Sequence, residues 1–63
     1  MNSEILFDDI LKDERHLKAV WFKFGTKKVW IPKSQIISEK LYKNTITIPD
    51  WLVKANHLEM FRL

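Results

Sequence analysis

The stretch from residue 18 to residue 31 constrains the fold most, because it has the pattern of a tight β-hairpin. Two alternating runs of apolar and polar residues flank the dipeptide Gly25-Thr26. Glycine at the first position of a two-residue loop favours a type II′ turn, and such a turn sets the pairing register of the two strands. We therefore predict strands over about residues 17–24 and 27–31.

This register divides the hairpin into an apolar face and a face of tryptophan and lysine. On the apolar side we expect four residues to join the core: Val20, Phe22, Val29 and Ile31. The other side pairs Trp21 with Trp30 and Lys23 with Lys28. Lysines directly opposite each other repel, so this side is not optimised for the isolated fold. The candidate binding residues are Trp21, Lys23, Lys28, Trp30 and Lys33.

The chain is short, which limits how it can be stabilised. Its 63 residues form one domain at most, and a chain of this size buries only about 60% of its unfolded surface. Cysteine is absent, so disulfides and thiolate zinc sites are excluded. Three Trp, four Phe and one Tyr supply large buried areas instead. No cofactor or metal site is expected.

The rest of the pattern predicts a small α+β domain spanning residues 1–63. Residues 3–13 have an apolar stripe at helical spacing and a serine at the start, which predicts an N-terminal helix. The β-sheet is expected within residues 17–48, with Thr45-Ile46-Thr47-Ile48 as its last strand, and a short helix over 49–56. The segment 35–37 fits either a third strand or a helical turn.

These elements suggest an antiparallel sheet of three or four strands with a helix at each end. Strands this short also allow a partial barrel of SH3 or OB type. In the C-terminal helix, Trp51, Leu52 and Ala55 are expected to face the core, and Asn56 to end the helix in the left-handed conformation. We expect the apolar tail, residues 57–63, to dock on the domain.

Charge is unevenly distributed along the chain. Residues 1–16 hold five carboxylates against two cations, a net charge of −3, whereas residues 17–63 have a net charge of +6. We interpret the N-terminal carboxylates as a solvated helix face. The alternative is an acidic segment that competes with nucleic acid for the basic surface. Lys18, Lys33 and Lys43 would extend the positive field of that surface.

Three short motifs lie in about the last two thirds of the chain. Lys18-Ala19-Val20 opens the hairpin, residues 29–36 read Val-Trp-Ile-Pro-Lys-Ser-Gln-Ile, and Ile48-Pro49 precedes Trp51-Leu52. In these motifs the chain resembles small, mostly uncharacterised β-rich proteins encoded by phages and other mobile elements. The resemblance implies an accessory factor in the cytoplasm of a bacterial host cell. The acidic N-terminus, the Lys27-Lys28 pair and the apolar tail depart from that pattern.

Enzyme activity is not expected from these residues. His16 and His57 are isolated from any nucleophile motif, and the single glycine rules out a glycine-rich phosphate loop. No apolar run approaches the roughly 20 residues that span a bilayer, and the N-terminus does not have the pattern of a signal peptide. We therefore expect a soluble protein with no membrane partner.

Three functions remain open. The first is binding of a host or phage protein, in the manner of an inhibitor or modulator. The second is binding of single-stranded nucleic acid, in which indoles stack on bases and lysines contact phosphates. The third is a homodimer whose tryptophan faces bury each other. In a fourth, purely structural interpretation, the N-terminal helix or the tail covers the indoles, which then belong to the core.

Overall fold

A computed structural model describes all residues, 1–63, as two three-stranded antiparallel sheets and one short helix. One sheet has the strand order β1-β6-β5 and the other the order β2-β3-β4. The elements are β1 (Asn2–Leu6), β2 (Asp9–Glu14), β3 (Ala19–Phe24), β4 (Lys27–Pro32), β5 (Ser38–Lys40), β6 (Thr45–Pro49) and α1 (Asp50–Ala55). The domain is thus mostly β, with two sheets instead of the expected one.

The predicted hairpin is confirmed as strands β3 and β4. Gly25 has a φ of +60° while Thr26 stays outside the left-handed region, as a type II′ turn requires. The pairing follows the predicted register, with Trp21 opposite Trp30 and Lys23 opposite Lys28. The turn residue therefore determines which side chains share a face.

The predicted N-terminal helix is wrong, because residues 2–14 form strands β1 and β2. Strand β1 pairs with β6, and β2 pairs with β3. A bulge between Ile10 and Lys12 interrupts the alternation of side chains in β2, and this irregular spacing resembles a helical stripe. A helix of this length is marginal in water, whereas strand pairing satisfies the same backbone groups and also covers the core.

The core lies between the two sheets and the helix. Eleven apolar residues from four strands, the helix and the connecting segments are buried: Ile5, Phe7, Val20, Phe22, Phe24, Ile31, Ile46, Ile48, Leu52, Val53 and Leu58. Val29, expected there too, is only partly buried. Phe22 packs against both Phe7 and Phe24, with ring centroids 4.9 and 5.9 Å apart. The inner face of the hairpin is thus the centre of the fold.

Of the three residues of the C-terminal helix predicted to face the core, only Leu52 does so. Leu52 and Val53 are buried, whereas Trp51 and Ala55 are exposed. The left-handed residue is His57, at a φ of 56°, and not Asn56. Asn56 instead continues the helical bonding, since its backbone N–H and its side-chain amide both donate to the carbonyl of Leu52. The chain therefore reverses one residue later than expected.

The apolar tail docks on both sheets. Leu58 is fully buried, and the Phe61 ring lies 5.7 Å from that of Phe24. Leu63 donates its N–H to the carbonyl of Glu4 at 3.0 Å, which places the end of the chain along β1. Met60 and Leu63 keep their side chains exposed. None of the helical segments has the length and apolar character needed to cross a membrane.

Two connections have the same form. Residues 15–17 and 41–43 each make one 3₁₀ turn, and the following residue, Lys18 or Asn44, adopts the left-handed conformation. The segment 33–35 is a further 3₁₀ turn. Residues 35–37, which fitted either a strand or a helical turn, therefore form no strand, and β5 begins only at Ser38.

Arg15, in the first 3₁₀ turn, links the sheets by donating to Asp13 and to Glu39 of β5. The bond to Glu39 is the main reason that the pKa of Arg15 is raised.

Asp8, predicted to be solvated on a helix, contacts the tip of the hairpin. Its carboxylate accepts a hydrogen bond from the backbone N–H of Gly25, and its own N–H donates to Lys23 at 2.8 Å. The N–H of Gly25 has no partner within the strand ladder, so the carboxylate satisfies it. Asp8 therefore holds the turn that determines the hairpin register.

We expect Asp8→Ala to lower the free energy of unfolding by about 1 kcal/mol, because the turn N–H loses its charged acceptor. Asp8→Asn keeps an acceptor oxygen and should recover at least half of that loss. Urea denaturation of the two variants and the parent chain measures both effects. Equal losses in Asp8→Ala and Asp8→Asn would contradict the role of the hydrogen bond.

Glu4 is held by a buried hydroxyl and two lysines. The hydroxyl of Thr45 donates to its carboxylate at 2.7 Å, and the ammonium groups of Lys40 and Lys43 each lie 3.9 Å away. The hydrogen bond is the largest effect and lowers the pKa of Glu4 below its ordinary value of 4.5; desolvation opposes it, and the charges of Lys43 and Lys40 lower the pKa further. Ionised Glu4 therefore stabilises the pairing of β1 with β6.

The lowered pKa predicts a pH-dependent effect of Thr45→Val. A carboxyl group whose pKa is lowered in the folded chain stabilises the fold fully above its ordinary pKa and loses that contribution as the pH falls through the lowered pKa, so the contribution is complete at about pH 7 and declines towards about pH 2. The variant should lose more stability at the higher pH. Thr47→Val is the control, since Thr47 lies opposite Glu4 without a hydrogen bond to it. Denaturation at both pH values showing an equal loss for Thr45→Val would refute the assignment.

Candidate binding surface

The outer side of the sheet β2-β3-β4 carries the candidate binding residues. Cross-strand partners point to the same side of a sheet, so the register defines two rows across it. One row contains Lys12, Trp21 and Trp30. The next row contains Asp9, Lys23 and Lys28. We refer to these six residues as the tryptophan face.

The two indoles at the centre of this face stack on each other. Trp21 and Trp30 have ring centroids 5.4 Å apart and planes only 6° from parallel. Trp30 is 44% exposed and Trp21 is partly exposed, so neither is among the buried residues of the core. The interpretation in which the N-terminal helix or the tail covers them is therefore wrong. An exposed tryptophan pair of this kind offers a rigid apolar platform.

The charges around the indoles are more mixed than the sequence suggested. Asp9, on β2, lies opposite Lys23 of β3. The row that contains Lys23 and Lys28 therefore has a carboxylate at its β2 end. Lys12 lies opposite Trp21, and its ammonium forms an ion pair with Glu14 at 2.9 Å. The acidic residues thus lie along β2, whereas β4 presents only Trp30 and Lys28 on this face.

Asp9 and Lys12 were missed by the sequence analysis because residues 3–13 were expected to be helical. Had the segment been interpreted as a strand pairing with β3, alternation alone would have put these two side chains near the hairpin. The bulge at Leu11 also had to be placed, since it changes which residues of β2 face outward. No local signal in the sequence indicates that bulge.

Lys33 lies at the end of the tryptophan face rather than within it. It begins the 3₁₀ turn after β4, is exposed, and donates its N–H to the carbonyl of Lys18 at 2.8 Å. The backbone thereby brings Lys18 and Lys33 together at the end of the sheet farthest from Gly25. The structure therefore groups Trp21, Lys23, Lys28 and Trp30, with Lys33 beyond them.

Lys27 and the two histidines lie elsewhere. Lys27 alternates to the inner side of the hairpin and donates from its ammonium to the carbonyl of His57 at 2.9 Å, at the reversal after α1. His16 and His57 are exposed on separate turns. No set of three His, Asp or Glu side chains converges to hold a metal ion, and the surface has no pocket.

No protein-family model matches this chain, and no curated protein or solved structure is significantly similar to it. The resemblance to phage-encoded proteins stays a prediction based on short motifs.

The stacked pair predicts a spectroscopic signal. Two indoles 5.4 Å apart are close enough for exciton coupling, and a rotation of one transition dipole relative to the other within the near-parallel planes gives a couplet in the far-ultraviolet circular dichroism spectrum. Either Trp21→Ala or Trp30→Ala should remove it and lower the free energy of unfolding by about 1 kcal/mol. Trp51→Ala, which changes an exposed indole on the helix, should leave the couplet intact. A couplet that survives in the Trp30→Ala variant would show that the Trp21–Trp30 pair is not its source.

Proposed function

We propose that this chain is a small non-enzymatic accessory protein, of phage or mobile-element type, that binds a host or phage protein as an inhibitor or modulator. The tryptophan face is its binding surface. The observation that carries the proposal is the stacked pair of Trp21 and Trp30 on the solvent side of the sheet. The phage context is supported by the sequence motifs alone.

Packing supports a binding role for this pair. The hairpin already buries its inner face in the core, where Phe22, Phe24 and Ile31 are fully covered. Its outer face has an exposed indole and two facing lysines, and the lysines cost some repulsion. Tryptophan is enriched among the residues that dominate the affinity of protein interfaces. This face therefore has the composition of an anchor surrounded by a charged rim.

The charge pattern favours a polypeptide partner over a nucleic acid. Asp9 and Glu14 lie along β2, and the second of these pairs with Lys12. A phosphate backbone crossing the face would meet these carboxylates. A protein surface can place cations opposite β2 and carboxylates opposite β4, so it can match both halves of the face.

Single-stranded nucleic acid is a second candidate, which the basic β4 side favours. Lys28 and Lys33 flank Trp30, and lysines with an aromatic ring form a common site for a base and its phosphates. However, each indole already covers one side of the other. Only the side of Trp30 that faces away from Trp21 is then well placed to stack on a base. Binding of single-stranded nucleic acid would therefore have a single strong stacking contact.

Capture from bacterial lysate tests the proposed function. The tagged parent chain should retain a specific protein, and Trp30→Ala should reduce its recovery about tenfold or more, as for an interface anchor. Trp51→Ala is the matched control, because it removes an exposed indole outside the tryptophan face. Recovery should be unchanged with this control.

Two results would count against protein binding. One is equal recovery of the captured protein by the parent chain and Trp30→Ala. The other is strong quenching of the tryptophan fluorescence by a short single-stranded oligonucleotide at low salt, with an affinity that falls steeply as salt is added. The second result would favour the nucleic-acid candidate. Sedimentation of the parent chain as a dimer would favour the homodimer instead.

A further inference from the structure

Strand β4 leaves one side of its backbone unpaired. It has a single neighbour, β3, in the sheet. In this hairpin the hydrogen-bonded pairs alternate from Phe24 with Lys27, and the bond from the N–H of Lys33 to the carbonyl of Lys18 continues the same alternation. The N–H and C=O groups of Lys28 and Trp30 therefore point away from β3, and no hydrogen bond within the chain reaches them.

The other sheet edges are closed, irregular or short. Strand β1 is covered by the tail, where Ile5 pairs with Arg62 and the N–H of Leu63 donates to Glu4. Strand β2 is bulged and carries several carboxylates. Strand β5 has only three residues. Bulges, charges and shortness are the usual means by which proteins prevent edge pairing, so β4 is the regular edge open to another strand.

The chemistry of this edge selects among possible strands. Residues 15–38 contain no Asp or Glu, and Lys28 and Lys33 lie on and just beyond β4. A second copy of the chain pairing through β4 would bring these positive charges together, which is unfavourable. A strand with carboxylates would place one opposite Lys28, at the spacing of about 5 Å that cross-strand partners have. Pro32 lacks an N–H and limits the added strand to a few residues.

We propose that β4 binds an extended acidic segment of a protein, which adds to the sheet as a fourth strand beside Lys28 and Trp30. This inference rests on the proposed function and names the chemistry of the partner. The backbone groups of Lys28 and Trp30 give the hydrogen bonds, and the ammonium of Lys28 selects the carboxylate. The outward side of Trp30 packs against the side chains of the added strand.

A pair of synthetic peptides tests the proposal on the full chain. The probe is a blocked hexapeptide of alternating glutamate and valine, and the control peptide replaces each glutamate with lysine. Nuclear magnetic resonance spectra of the chain should show slower hydrogen exchange at the amides of Lys28 and Trp30 when the acidic peptide is added. The lysine peptide should leave these exchange rates unchanged. Slower exchange that appears without peptide and grows with protein concentration would identify a second copy as the occupant and overturn the proposal.

Substitutions at Lys28 separate backbone pairing from charge. Lys28→Ala removes the ammonium but keeps the N–H, and should weaken binding of the acidic peptide about threefold. Lys28→Pro also removes the N–H, which faces solvent and is not needed by β3, and should weaken binding about fivefold more. The dispersion of the amide resonances verifies that both variants are folded. Equal affinities for Lys28→Ala and Lys28→Pro would overturn strand addition.

Failure of this proposal can be told apart from failure of the proposed function. Lys28→Pro and Trp30→Ala are both used in the capture from lysate. If Trp30→Ala loses the captured protein while Lys28→Pro retains it, the tryptophan face binds the protein but the β4 edge does not. If neither variant loses it, the proposed function is itself wrong. Loss in both variants, together with the peptide result, supports strand addition.

Discussion

The turn at Gly25 is the constraint on which the rest of the structure depends. A left-handed residue at this position closes a two-residue loop, and the loop determines which residues of β3 and β4 face each other. A shift of one position would turn one strand over relative to the other. If β3 turned over, Phe22 and Phe24 would leave the core and Trp21 would enter it, while Trp30 would stay outside, so the two indoles would no longer share a face.

Polar contacts at the periphery link the two sheets around this small core. Arg15 reaches from the first 3₁₀ turn to Glu39 on β5, and Asp8 reaches from the β1–β2 corner to the hairpin tip. Glu4 accepts from Thr45 across β1 and β6. The acidic N-terminus is therefore used mainly to orient strands, and most of its carboxylates have partners within the chain. Lys28 on β4 has no partner within the chain, so its charge is available to another molecule.

The candidate surface combines an aromatic platform with an open strand edge. Trp21 and Trp30 are held rigidly by stacking and by the hairpin ladder, so binding them costs little conformational entropy. The edge of β4 adds directional backbone groups to that platform. A small domain without a pocket can in this way offer both apolar area and hydrogen bonds on one strand. Both proposals place the binding residues on the same side of the sheet.

The sequence by itself determined the hairpin, its register, the strand at 45–48 and the short helix after Pro49, because each has a local signal in its turn residues or alternation. It also placed Trp21, Trp30, Lys23 and Lys28 on one face. Only the tertiary structure decided that residues 2–14 are strands, that Val53 rather than Trp51 faces inward beside Leu52, and that the outer edge of β4 stays unpaired. These features depend on contacts between distant segments, where strand pairing and core burial outweigh weak local preferences.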